Sequence, residues 1–241
     1  MRKTREALRD PDAKRSLNRA LFDRIAGRYD LATRVLSLGR DAAWKRELVL
    51  ALPTRNPAVC LDLASGTGDL AALLAQRFPH ALIRGIDLSS EMVALARQRL
   101  PAGQFEFTCG DIGALPYGDA SADLITGGYA LRNVPDLPSA LREIHRVLKP
   151  GAFAFFLEFV QPPPGLRRVL HHALLHLWGG LIGLVLHFRP STYRYIPASL
   201  AAYPAGDQLR VLCQECGFRV LQQRRHFFGM MERIELQRDS A

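Results

Sequence analysis

The sequence predicts an α/β fold in which helices cover both faces of an open, mostly parallel β-sheet. Three observations predict it. Short apolar runs alternate with stretches whose apolar residues recur at helical spacing from Val59 onward, the pattern of right-handed βαβ units. The run Val59-Cys60-Leu61-Asp62-Leu63 is nearly continuously apolar, as a central strand covered on both faces requires. It passes directly into Ala64-Ser65-Gly66-Thr67-Gly68-Asp69, a turn whose glycines let the backbone bend tightly and approach a ligand that a Cβ would push away.

Leu17, Leu21 and Ile25 predict a helix over 15–28 that breaks at Gly27, leaving Phe22 and Tyr29 as candidate lid aromatics. A second helix over 41–52 carries Trp44 and Leu48 and ends before Pro53. After the first strand, a helix over 69–78 aims its free amides and positive end at the glycine turn. The second strand is 83–88. Ser89 and Glu91 open a helix with Met92, Leu95, Ala96 and Leu100 on one face, stopped by Pro101. The third and fourth strands are 104–108 and 122–126. Leu137, Leu141, Ile144 and Leu148 mark the next helix, and the fifth strand is 152–158.

Residues 169–188 form an uncharged run long enough to cross a bilayer. Crossing is not expected, because a helix over 207–216 and strands over 218–221 and 230–236 are needed to complete the same sheet. A helical hairpin that covers the site or dips into the membrane interface fits, as does a buried helix over the sheet. The expected organisation is a basic helical N-terminal lid over 1–52, then an α/β domain over 53–241 with a helical insertion at 160–200.

The chain is 241 residues long, enough for one α/β domain, and carries a net charge of +9. Residues 1–28 hold nine Lys and Arg against four Asp and Glu, more than half of that charge. Such a start suits an anionic membrane surface, nucleic acid or a solvated helix face. No aromatic interleaving provides a base-stacking surface, so no nucleic-acid partner is expected. No apolar segment of a signal peptide follows the basic start, so a cytoplasmic location is expected. Four cysteines, at 60, 109, 213 and 216, make a poor disulfide framework. Cys213-x-x-Cys216 lacks a second zinc-ligand pair and shares helical spacing with Leu209 and Leu212, so both thiols are expected to pack as small apolar groups. His171, His172 and His176 are too loosely spaced for a metal site, and no metal is expected.

Ligands of open α/β sheets sit at the carboxyl ends of strands beside the switch in strand order. Four loops converge there: Asp62 to Asp69, Asp87-Leu88, Asp111-Ile112, and Gly128 to Val134. The turn lacks the third glycine of G-x-G-x-x-G, and no Gly-Lys-Ser/Thr cradles a triphosphate. The residue types suit an adenosine bearing an amino acid. Asp62 and the turn amides of Gly66, Thr67 and Gly68 can meet an ammonium and a carboxylate. Asp87, about 20 residues after the glycines, can take two ribose hydroxyls. Asp111 can accept from the adenine amine, with Leu88, Ile112 and Met92 packing nearby. A generic strand–turn–helix whose acid caps the next helix is the plainer alternative.

The segments Leu61 to Leu70, Ala114-Leu115-Pro116, Ala130-Leu131-Arg132-Asn133-Val134 and Arg146-Val147-Leu148-Lys149-Pro150-Gly151 resemble the ubiquinone/menaquinone biosynthesis C-methyltransferase family, with Asp87 as the matching acid. Phe22-Asp23, Tyr29-Asp30, Trp44-Lys45 and Tyr193-Arg194-Tyr195-Ile196-Pro197 extend the likeness to both flanks, so it covers nearly everything after residue 20. The glycine turn and the Arg-Val-Leu-Lys-Pro-Gly segment mark class I methyltransferases broadly, whereas Leu-Arg-Asn and Tyr-Arg-Tyr-Ile-Pro are far more specific to the family. The resemblance implies the class I, Rossmann-like methyltransferase fold with a seven-stranded, mostly parallel sheet and a helical insertion after the fifth strand. It implies S-adenosyl-L-methionine as donor and a polyprenylated quinol as acceptor, at the inner face of the cell membrane.

By that likeness Thr67, Asp87, Asp111 and Ile112 contact the donor, and Gly128 falls where relatives often have serine. Carbon is a poor nucleophile, so a quinol hydroxyl must shed its proton to push electron density onto the ring. Arg132 stays protonated and is the candidate to stabilise the developing phenolate; the family links this arginine to activating a water, which Asn133 would orient. Tyr29, Tyr129, Tyr193 and Tyr195 are the candidate walls of the acceptor ring. Arg132 and Asn133 merely shaping a turn is the plainer alternative. Demethylmenaquinol is the first acceptor expected and a ubiquinol precursor the second, with a homodimer as a candidate assembly. The rivals are a methyltransferase for another apolar small molecule, and a basic membrane- or nucleic-acid-binding protein with a vestigial cofactor fold.

Overall fold

The computed structural model describes residues 7–8, 10–162, 165–190, 192–193, 195–204 and 206–240. Arg2, Lys3, Arg5 and Arg9 of the basic start, and Arg194, lie outside them. Helices are α1 (Pro11–Ile25), α2 (Tyr29–Leu36), α3 (Asp41–Ala51), α4 (Asp69–Arg77), α5 (Ser90–Arg99), α6 (Leu137–Val147), α7 (Leu166–His187), α8 (Tyr195–Ala202) and α9 (Asp207–Glu215). Strands are β1 (Val59–Leu63), β2 (Leu82–Asp87), β3 (Phe105–Cys109), β4 (Ala122–Gly128), β5 (Leu148–Phe159), β6 (Phe218–His226) and β7 (Met231–Arg238).

They form one sheet in the order β3-β2-β1-β4-β5-β7-β6. All pairs from β3 to β5 are parallel, and β7 runs antiparallel between β5 and β6. The strand order reverses between β1 and β4, and there the carboxyl ends of the strands open a crevice. Alternate strand residues feed two cores. Leu61, Leu63, Ile125 and Phe156 pack with Leu141 and Ile144 of α6 and with Leu209 and Cys213 of α9. Cys60, Leu124, Phe155 and Leu157 pack on the other face with Trp44 and Leu48 of α3, Leu74 of α4 and Val93 of α5. Cys213 and partly buried Cys216 are thus apolar packing groups.

Helix starts follow local chemistry. Asp10 caps α1 by accepting from the Ala13 amide at 2.7 Å, with Pro11 as the first helical residue. This starts the helix four residues before the expected boundary. It ends at Ile25, a 3₁₀ turn covers Ala26–Arg28, and α2 follows where no helix was expected. Ser89 caps α5 by accepting from the Met92 amide at 3.2 Å. β5 starts earlier than expected and runs through Lys149-Pro150-Gly151, and β6 extends five residues beyond its expected end.

The hairpin expected over 169–188 is corrected to one continuous 22-residue helix, α7. Gly179 and Gly183 do not turn the chain; they allow close packing. A Cβ at Gly179 would lie 3.2 Å from the Tyr193 carbonyl oxygen, and one at Gly183 would lie 2.6 Å from that of Arg189. The helix ends where Phe188 adopts a left-handed conformation, φ 55°, the usual geometry of a helix stop. It covers no face of the sheet. Its inner side joins α1 and α2 in a third cluster of Ile25, Ala32, Met92, Ile182 and Tyr193.

Candidate active site

At the reversal of strand order, a cavity is lined by the ends of β1 to β4 and roofed by Asn18 and Phe22 of α1. Gly66, Asp87, Leu88, Met92, Asp111, Ile112 and Gly128 of the expected set line it. Asp87 spans the crevice. Its Oδ2 accepts from the Gly66 amide at 2.8 Å and its Oδ1 from the Ser89 amide at 2.9 Å, so each oxygen keeps a further acceptor site. Burial pushes this carboxyl up to about 6, against the pull of those amides. Asp111 accepts from the Gly113 amide at 2.8 Å and from Arg15 Nε of α1 at 2.5 Å. At Gly128 a Cβ would meet nothing closer than Lys45 Cε at 3.8 Å, so there is room for a side chain.

Three expected donor residues lie off this wall. Asp62, out of step with Leu61 and Leu63, points to the opposite face of the sheet and is fully buried. Its Oδ1 accepts from the Thr126 hydroxyl at 3.1 Å, and its Oδ2 has no partner. Burial pushes it up to about 7, a shift that the Thr126 bond and Lys45 oppose. The Thr67 hydroxyl donates to Asp30 of α2 at 2.7 Å and does not face the cavity. The expectation that Gly68 clears space for a ligand is corrected: it caps α4 at φ 88°, and a Cβ there would meet Leu100 Cδ1 at 2.8 Å. Packing and the left-handed cap require this glycine, whereas Gly66, at φ 54°, does sit on the cavity.

A second, mostly apolar chamber abuts the first, and Phe22, Tyr29, Tyr129 and Asn133 line both. All four expected tyrosines, 29, 129, 193 and 195, wall this chamber together with Arg132, Leu21, Ile25 and Phe159. Arg132 is buried, donates through Nη1 to the Ser199 hydroxyl and leaves its buried Nε without a partner. Glu158, at the end of β5, accepts from the Leu131 amide at 2.5 Å and so holds the turn that carries Arg132. Burial pushes Glu158 up to about 7, against the charge of Arg132. Asn133 donates to the Tyr129 carbonyl at 2.9 Å and accepts from the Tyr195 hydroxyl at 3.2 Å. Its own carbonyl accepts from the Asn18 amide nitrogen.

Tyr129 stands between the chambers in a left-handed conformation, φ 61°, which a bulky residue adopts only under constraint. The constraint is visible. Its amide donates to the Leu157 carbonyl at 2.7 Å and its hydroxyl to Asp41 Oδ1 at 2.6 Å. Asp41 Oδ2 pairs with Lys45 at 2.8 Å. Burial disfavours the Lys45 ammonium, but Asp41, Tyr29 and Asp69 outweigh it and hold its pKa above the ordinary value. Burial raises Tyr29, which lines both chambers, to about 12, so it faces them as a neutral phenol at neutral pH.

Sequence reasoning missed Asn18, Asp41 and Glu158 as parts of this site. Asn18 offered one signal, a polar residue flanked by Leu17 and Leu21 near the buried side of an amphipathic helix. Glu158 offered another, a carboxylate closing an otherwise apolar strand.

A profile of the ubiE/COQ5 methyltransferase family matches residues 11–233. The demethylmenaquinone methyltransferase of Thermus thermophilus is 40% identical over 206 residues, covering 83% of this chain and 92% of that protein. The ubiquinone/menaquinone biosynthesis C-methyltransferase of Geotalea daltonii is 38% identical over 208 residues, covering 83% and 86%. Among solved structures, a SAM-dependent methyltransferase from Thermotoga maritima superposes with a TM-score of 0.66 at 19% identity, covering 91% of this chain and 99% of that one, a likeness of fold. Sequence likeness across most of both chains, on a sheet ordered for this chemistry, gives one conclusion: the chain belongs to the ubiE/COQ5 methyltransferase family.

Proposed function

We propose that this protein C-methylates a polyprenylated quinol, demethylmenaquinol first and a ubiquinol precursor second, with S-adenosyl-L-methionine as donor. One observation supports it most: the cavity at the strand-order reversal, with Asp87 and Asp111 in its wall, abuts an apolar, tyrosine-walled chamber that contains Arg132. The residues fit that donor. Asp62 Oδ2 and the Ser65 hydroxyl, off the cavity wall at the end of β1, are buried without partners, acceptors that a donor ammonium reaching past the glycine turn would match. Asp87 keeps acceptor sites for ribose hydroxyls, and Asp111 for the adenine amine, with Leu88, Met92 and Ile112 as the apolar bed. When bound, the donor supplies an electrophilic methyl group on a sulfonium.

The protein's own part is alignment, exclusion of water and charge. Phe22 and Tyr29, at the junction of the two chambers, hold the acceptor ring against the donor cavity. Arg132 places its positive charge and unpartnered Nε beside the quinol oxygen, so density can pass to the ring carbon as the hydroxyl loses its proton. Asn133, fixed by Tyr129 and Tyr195, orients the acceptor or a water. Residues 1–52 act as a lid. Polar contacts that include Arg15–Asp111, Asn18–Asn133, Asp23–Ser89 and Asp30–Thr67 hold it over the donor cavity. The protein works in the cytoplasm, peripherally on the membrane that holds its substrate.

The test is methyl transfer from radiolabelled S-adenosyl-L-methionine to demethylmenaquinol by the purified protein. Label in extracted menaquinone is expected. Label in another apolar acceptor only, or in none despite donor binding, would overturn the reading.

A further inference from the structure

Helix α7 buries one side and leaves the other bare. Leu166, Leu170, Leu177, Leu181 and Leu184 of α7 and Phe188 just beyond it are all exposed, Leu177 by 77% and Phe188 by 82%. At 100° per residue the five leucines fall within an arc of about 60°, a continuous stripe along the helix that exposed Val169, Leu174 and Val185 flank. Only 28% of the most apolar stretch of α7 is buried. An exposed apolar stripe of this length on a folded chain marks a contact surface.

The charges around the stripe identify what it meets. From Phe159 to Gly206 the sequence holds no Asp or Glu, while Arg167, Arg168, Arg189 and Arg194 are all positive. Arg28 of the neighbouring 3₁₀ turn donates to the Leu186 carbonyl, placing another cation at the end of α7. Leu31 and Leu38, on and just after α2, add exposed apolar groups beside it. An apolar stripe on a segment that carries arginines and no Asp or Glu complements a bilayer with anionic headgroups, with the helix lying in the interface plane. Spanning is incompatible with the buried side of α7, where Ile182 packs on Ile25 and Tyr193.

We propose that α7 is the membrane-docking element, seated flat on anionic lipid with its leucine stripe in the acyl boundary. The inference rests on the acceptor reading above for its purpose. Ile25 and Tyr193, which pack beneath α7, also line the acceptor chamber, so a tail embedded in the bilayer lies one helix away from it.

The test is flotation of the full-length protein with vesicles of phosphatidylcholine alone or mixed with phosphatidylglycerol. Binding to the mixed vesicles is expected, weakening as salt is raised. L177E/L181E should lower vesicle affinity at least tenfold. R167E and R168E should each lower it about fivefold or more. L50E, at an exposed leucine on α3, should bind like the wild type. Failure of the wild type to bind, or wild-type binding by L177E/L181E with its circular dichroism unchanged, would overturn the proposal. So would a dimer in the wild type that L177E/L181E converts to monomer without any vesicle effect, since the stripe would then be a self-contact. Methyl transfer to a short-tailed quinol in detergent separates the two readings. If it proceeds without vesicle binding, only the docking surface fails; if vesicles bind but no quinol is methylated, only the acceptor reading fails.

Discussion

The contribution of Asp62 to stability should fall as pH rises, and bound donor should reverse that. The carboxyl is fully buried with one unpartnered oxygen, and its pKa rises from an ordinary 3.8 to about 7. Between those values the unfolded chain has released its proton while the folded chain keeps it. The Asp62 contribution therefore declines from about pH 4 and levels off above about pH 7. The full displacement corresponds to about 4 kcal/mol, an order of magnitude for one buried acid. Asp62→Asn removes the titration but keeps an acceptor for the Thr126 hydroxyl. In urea melts of ligand-free protein, the variant should recover about 2–4 kcal/mol at pH 8 relative to wild type and almost nothing at pH 4. Donor binding should move the other way. An ammonium beside Asp62 favours its ionised form, so at pH 7 the wild type should release about half a proton on binding. Calorimetry in buffers of different ionisation heat measures this. Equal pH slopes for the two proteins, or equal proton release, would refute the reasoning.

Arg132→Ala should slow methyl transfer about 100- to 1000-fold, the effect of losing one charge-stabilising donor, while the calorimetric donor affinity stays within twofold; an equal fall in both would contradict an acceptor-side role. Gly68→Ala should cost about 1–3 kcal/mol in denaturation midpoints, because a side chain is strained at φ 88° and meets Leu100. Gly128→Ser should stay within about 0.5 kcal/mol of wild type in the same assay, its nearest neighbour being 3.8 Å away. Tyr129→Phe should cost about 2 kcal/mol, read from urea midpoints, by removing a buried bond to the Asp41 carboxylate.

The sequence by itself determined the features that depend on neighbours along the chain. Apolar runs specified the seven strands, Ser89 its helix start, and the glycine turn and Asp87 the crevice at the end of β1 and β2. The family likeness selected Arg132, Asn133 and the tyrosines, and the fold brings them to one chamber. Only the tertiary structure decided the rest. Gly66 and Gly68 are two residues apart and alike in sequence, yet one faces a cavity and the other Leu100, because that depends on what α5 packs against them. Asn18, Asp41 and Glu158 joined the site through contacts 27 to 115 residues away in the chain, beyond any local pattern. Helix α7 has apolar residues on every side, so periodicity does not say which side is covered; the packing of α1 and α2 decides it, and leaves the leucine stripe to solvent.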